Sequence, residues 1–67
     1  MPEKWTGRLV GRMHCEGVSY ADLGNELGVT TAYISMILRG ERKPAGIRER
    51  LEAAFDAIIE RRKKEGE

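Results

Sequence analysis

Apolar residues recur along this chain at three- and four-residue intervals, and nowhere do they alternate with polar residues over a run long enough for a strand. Trp5, Leu9 and Met13 stand at i, i+4 and i+8, which places them on one face of a helix from about Trp5 to Cys15. Gly7 and Gly11 fall inside it. Each costs about 1 kcal/mol relative to alanine, so this helix depends on packing against the rest of the chain. Gly17 ends it. Leu23 and Leu27 give a shorter helix, Tyr20 to Leu27, a single apolar stripe. The Ser19 hydroxyl is placed to accept from the amide of Asp22 or Ala21, and Gly28 closes the element. Ile34, Ile37 and Leu38 mark a third helix from about Thr31 to Arg39, capped by Thr30 and stopped by Gly40. Its opposite face carries Thr31, Ala32, Ser35, Met36 and Arg39.

The fourth helix is long. Pro44 fixes its own φ and suits a first helical position, so the sequence places the start there and the helix over 45–64. Ile47, Leu51, Ala54, Phe55 and Ile58 keep a helical period throughout. Arg48/Glu52 and Glu60/Lys64 are opposite charges at i, i+4, each pair worth a few tenths of a kcal/mol. Fraying is expected after Arg62, although the run Arg61 to Lys64 complements the negative end of the helix dipole. The expected fold is therefore all-α, one domain over 1–67 with about four helices.

At 67 residues the chain is expected to bury only about 60% of its unfolded surface, too little for an elaborate enzyme. Charged residues at 34% beside 40% hydrophobic ones describe a chain that folds rather than a disordered tail. Twelve Lys and Arg against eleven Asp and Glu leave a net charge of +1, so a nucleic-acid partner has to be argued from where the charges sit. Cys15 is alone and cannot form an internal disulfide; with His14 it makes no zinc ligand set, and no metal or other cofactor is expected. No His, Cys and carboxylate set has the spacing of a nucleophile, its base and an orienting group. No small-molecule substrate is evident. No apolar run approaches a membrane span, and Met1 to Trp5 lacks the apolar core of a signal peptide, so a cytoplasmic protein is expected.

Two short helices joined by a Gly-containing turn, the second with a free polar face, form the arrangement in which one helix enters a DNA major groove while its neighbour braces it. Residues 19–44, SYADLGNELGVTTAYISMILRGERKP, closely resemble the helix-turn-helix of Cro and lambda-repressor-like regulators. The resemblance rests on Leu23, Gly24, Leu27-Gly28-Val29, Ile34-Ser35, Ile37, Gly40 and Pro44 together. It covers the first helix loosely and the last hardly at all. Gly24 lets the two helices approach and Val29 plugs the space between them, which fixes how the third helix is presented.

The resemblance implies a lambda-repressor-like bundle acting as a sequence-specific transcriptional regulator on double-stranded DNA, a repressor of phage or mobile-element type. It maps base contact onto Thr31, Ala32 and Met36, with Ser35 beside them. The Thr31 hydroxyl bonds a base edge, while its methyl, Ala32 and the Met36 thioether lie against thymine methyls. None is a bidentate reader, so A·T-leaning or shape-assisted recognition is expected. Phosphate contact falls to Arg39, Arg42 and Lys43, to Ser19 through its backbone amide and to Tyr20 through its hydroxyl, with Thr30 and Tyr33 also within reach of the backbone. Where many relatives have a partly buried Arg–Glu pair, this chain has Met13 and Leu38, a swap of ions for packing that is often neutral or stabilising. Phe55, Ile58 and Ile59 broaden the apolar stripe of the last helix, from which a homodimer contact is expected. The competing reading keeps the scaffold but gives it a protein partner, as in an antitoxin or inhibitor.

Overall fold

Each apolar stripe becomes the buried side of a helix. The computed structural model describes residues 3–66; Met1, Pro2 and Glu67 lie outside the described residues. In chain order the helices are α1 (Lys4–Glu16), α2 (Tyr20–Leu27), α3 (Thr31–Leu38) and α4 (Ile47–Gly66). The fold is all-α, and the described residues contain no strand. α2 packs on α3 and α4, and α1 packs on α4 and α3. One core joins Trp5, Leu9 and Met13 of α1 to Leu23 of α2, Ile34, Ile37 and Leu38 of α3, and Ile47, Leu51, Ala54, Phe55 and Ile58 of α4. Full burial of such a side chain contributes about 1.5–3 kcal/mol. Met13 and Leu38 are both buried, so the apolar pair is packed as its sequence positions require.

Local chemistry ends the first three helices where the pattern places their ends. Gly17, Gly28 and Gly40 all have positive φ. After α1 the Gly17 amide bonds the His14 carbonyl and the Val18 amide bonds the Met13 carbonyl at 2.9 Å, a Schellman closure that satisfies otherwise orphaned carbonyls. Val18 is buried beside Met13 in the core, a contribution no helical period indicates because Val18 lies between helices. α3 closes the same way, through the Gly40 amide on Ile37 and the Glu41 amide on Met36.

Two expectations for the last helix need correction. Pro44 does not open it: the Ile47 amide closes a turn on the Pro44 carbonyl, Gly46 stands at φ +72°, and a right-handed helix can begin only after it. Nor does it fray after Arg62, since helix persists to Gly66. Arg61 donates to Glu26 of α2 at 2.6 Å. Arg62 donates to the carbonyls of Glu16 and Gly17 at 2.9 and 3.3 Å and to Asp22 at 3.3 Å. These cations hold the end of α4 against α2 and the α1–α2 turn. The Arg48–Glu52 pair forms at 3.5 Å, whereas Glu60 pairs with Lys63 rather than Lys64.

The contact between α2 and the turn before α3 leaves no room for a side chain at Gly24. A Cβ at Gly24 would lie 2.8 Å from the Val29 carbonyl oxygen, which is backbone and cannot move aside cheaply. Gly7 has nothing within 4 Å of where its Cβ would be. Gly24→Ala is expected to lower stability by about 1–3 kcal/mol despite alanine's better helix propensity, and Gly7→Ala to raise it by about 0.5–1 kcal/mol. Urea melts of both variants check the opposite signs.

Candidate nucleic-acid interface

α3 is seated by its inner face and open on its outer one. Ile34, Ile37 and Leu38 are buried; Thr31 and Ala32 are exposed; Tyr33, Ser35 and Met36 are half-buried at the margins. No charged residue occurs between Thr31 and Leu38. The cap explains where the face begins: Thr30 Oγ1 accepts from the Tyr33 amide at 3.1 Å, which leaves the hydroxyl proton free to donate outward. The candidate base-reading residues thus share one accessible, neutral surface. Tyr20 is half-buried against the core at the start of α2.

The candidate phosphate-gripping residues are less uniform than their charges imply. Arg39, Arg42 and Lys43 are all exposed at the end of α3 and in the loop after it. Arg39 Nε lies 2.7 Å from the Glu41 carboxylate, and Lys43 Nζ lies 3.8 Å from that of Glu3. Arg42 makes no ion pair among the described residues. Arg42 and Lys43 line a cleft of about 240 Å³ between the start of α1 and the α3–α4 loop, shared with Glu3 and Trp5. The involvement of Glu3 left no trace in the sequence, because it joins residues forty positions apart.

Ser19 needs a correction of role. Its hydroxyl accepts from the Asp22 amide at 3.1 Å, as the pattern indicates, but its own amide donates to Asp22 Oδ2 at 2.9 Å. This reciprocal capping box occupies the amide assigned to phosphate and sets a carboxylate beside it. The hydrogen bonds from Ser19, first its amide, and then the nearby Arg62 guanidinium hold the Asp22 carboxyl below its ordinary value of 3.8.

The apolar stripe of α4 also divides differently from expectation. Phe55 and Ile58 are buried in the protein's own core and are not free for a dimer contact; only Ile59 is partly exposed. Arg12 covers the Phe55 ring at 4.6 Å from its centroid and meets Asp56 at 3.4 Å. Ile59 borders an apolar groove of about 600 Å³ between α1 and α4, where Gly11 and the exposed Cys15 also lie. Among the described residues no group of three His, Cys, Asp or Glu side chains is placed to hold a metal ion, and no helix is long and apolar enough to cross a membrane.

Fold and site together define a small all-α bundle that presents one short neutral helix beside a basic loop. Compared with family models, curated proteins and solved structures, the chain matches none.

Because the folded pKa of Asp22 is depressed, its stabilising contribution is fully present above about pH 3.8 and is lost as pH falls through the lower folded value. Asp22→Asn is expected to cost about 0.5–1 kcal/mol at pH 7, with the difference from wild type shrinking below pH 4. Chemical melts at pH 7 and pH 2.5 check it.

Proposed function

We propose that the protein is a sequence-specific double-stranded-DNA-binding transcriptional regulator of the cytoplasm that lays α3 in the major groove. The observation that carries this reading is the posture of α3: buried along Ile34, Ile37 and Leu38, exposed at Thr31 and Ala32, and followed by a loop whose Arg42 makes no ion pair among the described residues. A helix with its side chains is about 10–12 Å across, matched to a major groove roughly 12 Å wide. In this mechanism α2 braces α3, Thr31, Ala32, Ser35 and Met36 meet base edges, and Arg42 anchors a phosphate with Arg39 and Lys43 beside it. Occupancy of the site then blocks or recruits polymerase. The likeness of residues 19–44 to Cro-type regulators supports a phage or mobile-element repressor.

A second reading, a protein-binding module on the same scaffold, draws on a specific observation. α3 carries no charge, and two of the three neighbouring cations already face carboxylates. Salt separates the two, since phosphate contacts make affinity fall steeply as salt rises. In titrations of duplex pools, Arg42→Ala is expected to weaken all sequences alike and reduce the salt slope by about 1, while Thr31→Ala changes which sequences are selected. Identical behaviour of the two variants, or binding indifferent to salt, removes the DNA reading.

The same reading takes the protein as a homodimer on paired half-sites about 34 Å apart. With Phe55 and Ile58 committed to the core, its contact falls on Ile59 and the α1–α4 groove. Sedimentation is expected to show a dimer for wild type and a monomer for Ile59→Glu; monomers in both cases exclude this contact.

A further inference from the structure

Two of the three cations at the end of α3 and in the α3–α4 loop lie against the protein's own carboxylates. Glu41 reaches back to Arg39 at 2.7 Å, fixed there by the turn in which the Glu41 amide bonds the Met36 carbonyl. Glu3 comes from the opposite end of the chain. Its backbone carbonyl accepts from both the amide and the hydroxyl of Thr6, which locks the entry to α1. One carboxylate oxygen accepts from the Trp5 indole N–H at 2.6 Å, and the other faces Lys43 Nζ at 3.8 Å inside the cleft that Arg42 also lines. A carboxylate so held offers a cation what a phosphate oxygen offers, a localised negative charge accepting hydrogen bonds.

We propose that Glu3 and Glu41 are built-in competitors for DNA phosphate, each engaging one loop cation until the backbone of a duplex displaces it. This rests on the DNA reading above and assigns that site an internal control of affinity. Of the three cations at this loop, Arg42 alone makes no ion pair among the described residues, so in the unbound protein the site's grip on non-cognate DNA is weak. A fitted duplex brings phosphates close enough to exchange with both carboxylates, and Arg39 and Lys43 then add to the grip. Pairs this exposed are individually weak and screened by salt, so exchange needs no rearrangement of the core. Glu3 couples the exchange to Trp5, because leaving Lys43 shifts the carboxylate that the indole holds.

The test compares wild type, Glu3→Gln, Glu41→Gln and Glu60→Gln on one pool of mixed duplexes over a salt series. The glutamine oxygen of Glu3→Gln still accepts from the Trp5 indole, which preserves that contact. Glu60→Gln changes net charge equally but lies about 20 Å along α4 from Ile47, beyond a Debye length of about 8 Å. Glu3→Gln and Glu41→Gln are each expected to bind about two- to fivefold more tightly than wild type, with the salt slope steeper by up to about 0.9, and Glu60→Gln to match wild type. The emission of Trp5, the only tryptophan, is expected to change on duplex binding in wild type and much less in Glu3→Gln. Wild-type binding that Arg42→Ala weakens but Glu3→Gln and Glu41→Gln leave unchanged overturns the competitor role while the DNA reading stands. Equal tightening by all three Gln variants assigns the effect to net charge and also overturns it. No binding of duplex by any form overturns both.

Discussion

The close approach of Gly24 to the Val29 carbonyl sets the seam between α2 and α3, and the posture of the outward face follows from that seam. With α2 drawn this near, Leu23 of α2, Ile34 and Ile37 of α3, and Leu51 and Phe55 of α4 are the largest fully buried side chains of one core. In a chain this small there is no second layer to absorb an error of fit, and interiors packed to crystal-like density transmit displacement rather than damp it. The direction in which Thr31 and Ala32 point is thus a consequence of an absent side chain seven positions earlier.

α4 is held by two kinds of force along its length. Its first three turns are fixed by apolar burial, from Ile47 to Ile58, and its end by the hydrogen bonds of Arg61 and Arg62. The Arg62 guanidinium is the more consequential because it meets three elements at once: it fills carbonyls at the end of α1, touches the carboxylate of the α2 capping box, and belongs to α4. An exposed ion pair alone is worth about 0–1 kcal/mol. A cation on otherwise unfilled helix-end carbonyls also supplies their missing hydrogen bonds and opposes the helix dipole.

Charge in this protein has meaning only through its placement. A net charge of +1 describes neither end of the molecule. Around the α3–α4 loop the carboxylates of Glu3 and Glu41 face two of three cations, while at the far end Glu26 and Asp22 face Arg61 and Arg62. The runs Arg42-Lys43 and Arg61 to Lys64 read alike in sequence, yet in the second Arg61 and Arg62 are bound to other parts of the fold. Phe55 and Ile58 likewise read as surplus apolar surface until packing buries them in the core.

The four helices, the stops at Gly17, Gly28 and Gly40, the Ser19 and Thr30 caps, and the inner face of α3 are all legible in the order of residues, because each depends on neighbours within one or two helical turns. The same order also marks Thr31, Ala32, Ser35 and Met36 as the face left over, since period alone separates them from Ile34 and Ile37. Tertiary structure decided the rest. The start of α4 after Gly46 depends on how the loop must turn to bring Ile47 into the core. The loss of the Ser19 amide, the bond from Glu3 to Lys43, the strap formed by Arg62 and the removal of Phe55 and Ile58 from the surface all join groups whose partner is chosen by geometry. Charge and hydrophobicity give a side chain its affinity for a class of partner; only the packed chain determines which member of that class lies within reach.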